Sequence, residues 1–521
     1  MRADIDVGSR TLTTVAHLIA RTLRAHGAQA LFGLRDEHDA PLVASCADLG
    51  IRFVGARDQR SAAWMATGWA LATATPGIVA LSSPAGVADA AAPLVDAVAS
   101  GIPIVVLAGI EHEELELSAD VRPRGAWAAR LDDQDSAGIL TARAFAAARA
   151  HPGVAVLEVP ARLQDATTSA APEQPAIVNR PEPDSAEIAQ AWTLLARAER
   201  PVIMAGGGCF WSGATAALEH FATASRIPVV TAGQARGILP GGHPLCAGIA
   251  ESPAGRAAVH EADVVLAVGT RCDAPLAATA PDAVLVRIDS EAGPAADLFL
   301  RADPRAALEA LGRVAESCST NAWIALLRDR ARAGASRFSA AASTISLPLH
   351  PAAVVAEVTA SLPVGAIVYV DEGPLAAWAM GAVPVSGPGD LQAHMDSRTG
   401  AAGMGLPIAV GMKIACPDRA LLVLCGDASF TPGAMALETA ARHGAPIAVV
   451  VAGSEGRAGR AGMPRSPFEM MAEFAGGIGD RAETPKQLSI AVPNALVASM
   501  PSVVNVRIDA GVRAPEGAHG A

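Results

Sequence analysis

Short apolar runs recur along the chain and alternate with amphipathic stretches, the pattern of alternating strands and helices. Residues 12–25 carry apolar side chains at helical spacing and predict the first helix. The apolar runs show no polar alternation, which is typical of strands that helices cover on both faces. In chain order, the predicted strands are 30–32, 51–54, 77–81, 102–108, 154–159, 202–205, 228–231, 264–268, 283–288, 366–370, 420–425, 447–451 and 503–507.

Two stretches without periodicity divide this pattern into three parts. Residues 163–185 are rich in Pro, Ala, Thr and Glu, and a second break falls near 335–350. We interpret both stretches as linkers. Three consecutive strand–helix units of similar size predict an α/β fold with three parallel-sheet domains. The predicted domains span residues 1–165, 185–335 and 350–510.

Composition narrows the choice of partners and compartment. The chain has 521 residues, of which 51% are hydrophobic and 18% charged, so it is not a disordered chain. Its net charge of −12 and its 3% of aromatic residues argue against nucleic acid or an anionic membrane as a partner. The seven cysteines include no C-x-x-C pair, which predicts a reduced, cytoplasmic protein without a zinc site. No apolar signal core or membrane span is predicted.

Three local motifs have both a chemical and a structural interpretation. The turn 206–208 is Gly-Gly-Gly after a strand, and a tight turn is favoured over a phosphate site because G-x-G-x-x-G spacing is absent. The motif 425–430 lies at the carboxyl end of an apolar strand and contains Asp427. This carboxylate either holds Mg²⁺ beside a phosphate or caps the next helix. The glycine-rich stretch 401–405 either lies flat against a ring-shaped ligand or permits tight packing.

The order of these motifs resembles the thiamine diphosphate (ThDP) enzymes of the acetolactate synthase and benzoylformate decarboxylase superfamily. The likeness covers nearly the whole chain. The segments that carry it are 32–33 with 41–42, 51–57, 62–68, 85–109, 201–208, 236–244, 262–273, 370–372, 387–390, 403–411 and 417–429. The resemblance implies a pyrimidine-binding domain, a central domain and a diphosphate-binding domain, in that order. It also implies two chains at each active site, so we expect a homodimer or homotetramer.

The resemblance implies ThDP and Mg²⁺ as cofactors and a 2-oxo acid or acyl donor as substrate, whereas FAD is not expected in the central domain. Gln59 stands at the position of the family's catalytic glutamate. The implied metal positions are Asp427, Ser454 and Gly456. The implied cofactor-binding positions are Glu372, Gly400, Ala402, Met404, Gly426, Ala428 and Ser429.

The departures from the family pattern fall on the chemistry. Gln59 can form hydrogen bonds but cannot shuttle a proton as a glutamate does. Ser454 replaces the family's asparagine, and Ser82 stands where the benzoylformate branch has a histidine. Ala402 replaces a bulky apolar residue, and the hydroxyl residues of that branch match Gly373, Pro374 and Leu375. We therefore expect a divergent ThDP lyase or carboligase. The alternative is a family member that is non-catalytic or uses the cleft for another ligand without ThDP.

Overall fold

The computed structural model describes residues 5–7, 10–37, 39–110, 126–150, 153–175, 180–270, 280, 282–291, 293, 295–393, 399–453, 466–509 and 511–514. These residues form two compact units. The first comprises the chain up to residue 178 together with 397–417 and 431–446. The second comprises 179–396, 418–430 and the chain from 447 onwards.

Within the described part of the chain, the strands are β1 (Ile5–Val7), β2 (Arg10–Thr14), β3 (Ala30–Gly33), β4 (Arg52–Gly55), β5 (Gly77–Ser82), β6 (Ile104–Ile110), β7 (Trp127–Arg130), β8 (Val154–Pro160), β9 (Thr167–Thr168), β10 (Pro201–Ala205), β11 (Val229–Thr231), β12 (Cys246–Ile249), β13 (Val264–Val268), β14 (Val284–Asp289), β15 (Leu298–Arg301), β16 (Ile367–Val370), β17 (Leu391–Ala393), β18 (Leu421–Gly426), β19 (Ala448–Gly453), β20 (Ile478–Ala482) and β21 (Ser502–Arg507).

The α-helices over the same residues are α1 (Val15–Ala25), α2 (Ala40–Asp48), α3 (Gln59–Thr73), α4 (Ser83–Asp89), α5 (Ala91–Ser100), α6 (Ala137–Ala150), α7 (Ala161–Gln164), α8 (Ser185–Arg197), α9 (Gly207–Trp211), α10 (Thr215–Ser225), α11 (Pro253–His260), α12 (Pro304–Val314), α13 (Asn321–Ala342), α14 (Pro351–Ser361), α15 (Ala376–Ala379), α16 (Gly405–Ala415), α17 (Asp427–Gly433), α18 (Ala436–Arg442), α19 (Phe468–Phe474) and α20 (Pro485–Val497). None of these helices has the length and apolar character needed to cross a membrane.

The first unit is built on a parallel sheet with the strand order β4-β3-β5-β6-β8-β7. Strands β5, β6 and β8 are buried along their whole length because helices cover both faces. A small antiparallel sheet of β1, β2 and β9 accompanies it. Residues 397–417 and 431–446 also belong to this unit. For example, Arg442 in α18 donates a hydrogen bond of 2.6 Å to the Gly55 carbonyl at the end of β4.

The second unit holds two further parallel sheets. The middle sheet has the order β12-β11-β10-β13-β14-β15, and the last sheet has the order β17-β16-β18-β19-β21-β20. Both have the interrupted order of doubly wound α/β folds, in which ligands bind beyond the carboxyl ends of the strands. The predicted class of three parallel-sheet α/β domains is therefore confirmed, while the exact domain boundaries stay a prediction.

Helices α3 and α16 of the first unit pack backbone against backbone. A Cβ atom at Gly68 would lie 2.0 Å from the Ile408 carbonyl oxygen, and one at Gly411 would lie 1.9 Å from the Met65 carbonyl oxygen. Two glycines that face opposite helices therefore set the closest approach of the pair. We call this contact the α3–α16 seam. Nearby, a Cβ at Gly403 would lie 2.6 Å from Pro432, so this glycine of the 401–405 stretch serves tight packing.

Both predicted linkers contain regular structure, and the first helix is shorter than predicted. Thr167 and Thr168 form β9, which pairs with β2, inside the linker predicted at 163–185. Helix α13 continues to Ala342, inside the linker predicted near 335–350. The C-terminal half of α13 is largely exposed, so it lacks the apolar stripe that announces a helix. The first helix begins at Val15, because residues 12–14 belong to β2.

Candidate functional site

Gln59 is the first residue of α3 and is only 7% exposed. Its Nε2 donates a hydrogen bond of 3.2 Å to the Oγ of Ser82, the last residue of β5. Its Oε1 is buried and accepts no hydrogen bond from the described residues. Gly86 lies against this side chain, since a Cβ there would be 3.1 Å from Gln59 Cδ. The structure thus brings together two positions, Gln59 and Ser82, that match active-site positions of the resembled family.

The carboxylate next to Gln59 is used by the helix. Asp58 is the N-cap of α3, and its Oδ1 and Oδ2 accept hydrogen bonds of 2.7 Å from the backbone N–H and the hydroxyl of Ser61. This capping satisfies a backbone donor that would otherwise lack a partner at the helix end. Asp58 is therefore turned towards its own helix and does not substitute for a carboxylate at position 59.

An ion pair fixes the loop that leads into α3. Arg57 Nε donates a hydrogen bond of 2.7 Å to Glu438 Oε2, and a second, shorter bond joins Arg57 to Glu438 Oε1. Arg442 also donates to Glu438. The hydrogen bond from Arg57, together with the positive charge of both arginines, lowers the pKa of Glu438 to about 2. Glu438 in α18 thereby holds the segment two residues before Gln59.

A second cluster of predicted positions lies at the carboxyl ends of β16 and β18 in the second unit. The Glu372 carbonyl accepts hydrogen bonds from Gly426 N at 2.8 Å and from Ser429 Oγ at 2.9 Å. A Cβ at Gly373 would lie 2.5 Å from Gly426 N, so only glycine permits this approach. Three of the predicted cofactor-binding positions, Glu372, Gly426 and Ser429, are therefore in direct contact.

Asp427 and Ala428 begin α17 directly after β18. Asp427 Oδ1 accepts a hydrogen bond of 2.9 Å from the backbone N–H of Ala428, and the Ala428 side chain is exposed. The described residues contain no group of three His, Cys, Asp or Glu side chains that could hold a metal ion. Ser454 and Gly456, the other predicted metal positions, lie outside the described residues. A metal at Asp427 would thus rely on this one carboxylate and on oxygens beyond the described part.

The remaining predicted positions lie before and at the start of α16, in the first unit. Gly400 and Ala402 are exposed, whereas Met404 is 2% exposed. Just before them, Thr399 donates hydrogen bonds of 3.2 Å from its N–H and its hydroxyl to Asp96 Oδ1. The structure therefore orders this stretch through Asp96 and the packing of Gly403.

Comparison with known proteins identifies the class to which this fold and these positions belong. Residues 13–136 match the model of the thiamine pyrophosphate enzyme N-terminal TPP binding domain. Residues 188–311 match the central domain, and residues 371–506 match the C-terminal TPP binding domain. The chain belongs to the thiamine pyrophosphate enzyme family, as its resemblance to ThDP enzymes predicts, and it is a decarboxylase- and carboligase-like enzyme of that family.

Relatives with assigned names match along nearly the whole chain. Acetolactate synthase large subunit IlvG from Mycobacterium tuberculosis is 31% identical over 96% of both chains. The 2-hydroxyacyl-CoA lyase of Oryza sativa is 27% identical over 94% of this chain and 95% of its own. Oxalyl-CoA decarboxylase from Escherichia coli is 25% identical over 96% and 95%, respectively. Their names span decarboxylation, synthesis and C–C bond cleavage, so the comparison indicates ThDP chemistry without indicating one substrate.

The residues around Gln59 fit the heterocyclic end of ThDP. A buried Oε1 that accepts no hydrogen bond from the described residues suits a hydrogen-bond donor on a bound ring, because an unsatisfied buried acceptor costs free energy. The diphosphate end fits less well. Leu375, at a family hydroxyl position, is 1% exposed and belongs to the core of the last sheet. The contact between Arg57 and Glu438 was not predicted from the sequence. Its one local signal is that Arg57 lies two residues before Gln59, which stands at the position of the family's catalytic glutamate.

Proposed function

We propose that this chain is a ThDP-dependent lyase or carboligase that acts on a 2-oxo acid or a related acyl donor. Family membership along nearly the whole chain supports the cofactor. The buried Oε1 of Gln59, to which no described residue donates, is the observation that carries the site assignment. When bound, ThDP supplies the electron sink for breaking or forming a C–C bond next to a carbonyl group.

In this proposal, Gln59 positions the pyrimidine end and does not titrate. Its Oε1 accepts a hydrogen bond from the amino group of the bound pyrimidine, while its Nε2 remains on Ser82. Because the Ser82 oxygen accepts that bond, its own proton is free to be donated to a bound group. An amide neither gains nor loses a proton as an acid or base near neutral pH, so we expect cofactor activation to be slow compared with enzymes that have a glutamate here.

In the second unit, we propose that Asp427 anchors Mg²⁺ with Ser454 and the Gly456 carbonyl, since hard cations prefer oxygen ligands. Glu372, Gly426, Ala428 and Ser429 would line the diphosphate. Gly400, Ala402 and Met404 of the first unit stay cofactor-binding positions that the family resemblance implies. Two hydroxyl donors are missing at Pro374 and Leu375. Each charge-assisted hydrogen bond contributes roughly 1.5–3 kcal/mol, so the loss of two should weaken binding about a hundredfold or more relative to a complete site.

Calorimetry tests the binding step. Wild-type protein should bind ThDP weakly in the presence of Mg²⁺, and removing Mg²⁺ with a chelator or replacing Asp427 with alanine should weaken binding at least tenfold. Binding that is unchanged by both treatments would refute the metal assignment. Absence of ThDP binding would favour the alternative, a family member that uses this cleft for another ligand or acts as a binding protein.

Turnover of 2-oxo acids tests the role of Gln59. Gln59→Glu, alone and with Ser454→Asn, should raise ThDP-dependent turnover of pyruvate or a related 2-oxo acid at least tenfold. Gln164 is a matched control because it is fully buried in the same unit but far from Gln59 in the sheet. Gln59 follows β4, whereas Gln164 follows β8, which lies four strands away. Gln164→Glu should give no gain. Turnover by the wild-type protein that equals that of Gln59→Glu would show that Gln59 is misassigned.

We also propose a homodimer or homotetramer, because the family forms each active site between two chains. Static light scattering at micromolar concentration measures the molar mass directly. A mass of two or four chains is expected, and a monomer with ThDP turnover would contradict a shared site.

A further inference from the structure

A cavity of about 370 Å³ opens beside the middle sheet of the second unit. Its lining comes from the residues that precede β11 and β12 and from the first two turns of α13. The cavity therefore lies at the amino-terminal end of this parallel sheet. The Gly206–Gly208 turn follows β10 at the opposite, carboxyl-terminal end, where such sheets ordinarily bind ligands.

Positive charge converges on this cavity. Arg226 and Arg328 both line it, and none of the described lining residues is acidic. Arg226 donates a hydrogen bond of 2.7 Å to the Asn321 side-chain oxygen, and Arg328 donates one of 3.0 Å to the Pro244 carbonyl. Both acceptors are neutral, and neither guanidinium pairs with a carboxylate of the described chain. The cavity thus carries two positive charges that no described carboxylate neutralises, although the protein as a whole has a net charge of −12.

Further donors face the same space. His243 Nδ1 accepts a hydrogen bond of 3.1 Å from Leu245 N, so Nε2 carries the proton of the neutral ring and is a donor. The Thr320 hydroxyl donates to the Arg226 carbonyl at 2.7 Å and makes no capping bond to α13. The first turn of this 22-residue helix therefore adds its own partial positive charge beside Asn321.

The backbone of Arg226 decides which substitution tests this side chain. It follows α10 with φ +58°, a left-handed conformation in which helices usually end with glycine. A non-glycine side chain in this conformation is strained, as it also is at Ala74 after α3. The arginine carries a conformational cost that glycine would avoid, and its guanidinium lies at the cavity.

We propose that this cavity binds a small phosphate monoester. Two guanidinium groups, an imidazole N–H and a helix amino terminus match a dianionic phosphate, which arginine binds through paired hydrogen bonds. The volume is within the range of small-molecule pockets and exceeds what a phosphate group alone requires. The apolar part of the lining is formed by Pro244, Leu245, Ile324 and Ala325, which suits a compact organic group attached to the phosphate.

Titration calorimetry on the purified, full-length protein without ThDP tests this site, with phenyl phosphate, inorganic phosphate and benzoate as probes. Phenyl phosphate should bind more tightly than inorganic phosphate, and benzoate should bind least. Arg226→Gly and Arg328→Gln should each weaken phenyl phosphate binding about tenfold or more, the effect of one charge-assisted hydrogen bond. The exposed Arg305, which pairs with Glu309 in the same unit, is the matched control; Arg305→Gln should change the affinity less than twofold.

Thermal unfolding separates loss of the ligand site from loss of the fold. Because glycine relieves the left-handed strain, Arg226→Gly should unfold at the same or a higher temperature than the wild-type protein, although it binds phenyl phosphate about tenfold more weakly. The proposal is overturned if neither phosphate probe binds at millimolar concentration. It is also overturned if benzoate binds as tightly as phenyl phosphate, or if the two arginine variants bind like Arg305→Gln.

Discussion

The α3–α16 seam leads to a sharp prediction about stability. In Gly411→Ala, the new Cβ would lie 1.9 Å from the carbonyl oxygen and 2.7 Å from the carbonyl carbon of Met65. These atoms belong to the facing backbone, so the two helices must separate by more than 1 Å to restore an ordinary contact distance of about 3.2 Å or more. No side-chain rotation relieves this clash.

The expected size follows from two opposing terms. Overpacking a core usually costs about 1–3 kcal/mol, and a clash against backbone falls at or beyond the upper end. Alanine returns about 1 kcal/mol through its higher helix propensity. We therefore expect Gly411→Ala to lower the free energy of unfolding by about 2 kcal/mol or more. Gly68→Ala should cause a similar loss, because its Cβ would lie 2.0 Å from the Ile408 carbonyl oxygen.

Urea unfolding followed by tryptophan fluorescence and circular dichroism measures this loss, and Trp64 and Trp69 in α3 place reporters at the seam. Gly334 in α13 is the control, since a Cβ there would meet no atom within 4 Å. Gly334→Ala should raise the free energy of unfolding by about 0.5–1 kcal/mol and shift the urea midpoint slightly upwards. If Gly411→Ala unfolds at the same midpoint as Gly334→Ala, with an unchanged slope, the seam is not as close as described.

Three further predictions concern the surroundings of Gln59 and the buried thiols. Asp58→Ala should destabilise the protein by about 1 kcal/mol through loss of the α3 cap, and Asp58→Asn should retain most of the stability in the same urea assay. Because the folded pKa of Glu438 is about 2 and lies below its ordinary value, its stabilising contribution is complete above about pH 4.5 and is lost as the pH falls towards 2. The melting temperature of Glu438→Gln should therefore lie below that of the wild-type protein at neutral pH and converge with it near pH 2; a constant difference would contradict the ion pair. Burial raises the pKa of the Cys209 thiol to about 12, so iodoacetamide at pH 8 should leave Cys209 unmodified in the folded protein, as read by mass spectrometry, and modify it in urea.

The interior of each large sheet could be predicted from the sequence, and most of the edges could not. Every predicted strand is present within two residues of its predicted ends. The strands of the three large sheets that were missed, β7, β12, β15, β17 and β20, all lie at sheet edges, and the small sheet of β1, β2 and β9 was missed as well. An edge strand is covered less completely than an interior one and tolerates polar residues, as Asp480 and Arg481 in β20 illustrate. Such strands lack the unbroken apolar run on which the prediction depends.

The candidate site could be predicted in part for a related reason. Contacts at the carboxyl ends of parallel strands follow from topology, so positions such as Glu372 and Gly426 are brought together as their order in the chain suggests. The pairing of Gln59 with Ser82 and of Arg57 with Glu438 depends on side-chain rotamers and on segments far apart in sequence. No local pattern encodes those distances. The cavity beside Arg226 likewise depends on three separate segments that converge only in the folded domain.

The discontinuous composition of the first unit bears on how the chain folds during synthesis. Helices α16 and α18 belong to this unit, yet they are translated only after the whole of the middle sheet. At about 5–20 residues per second, residue 446 leaves the ribosome tens of seconds after residue 178. During that interval α3 has no partner for its glycine face, and β4 lacks the arginine that binds its last carbonyl. The first unit therefore stays incompletely packed until residues 397–446 have been translated. We expect it to depend most on chaperones during this interval.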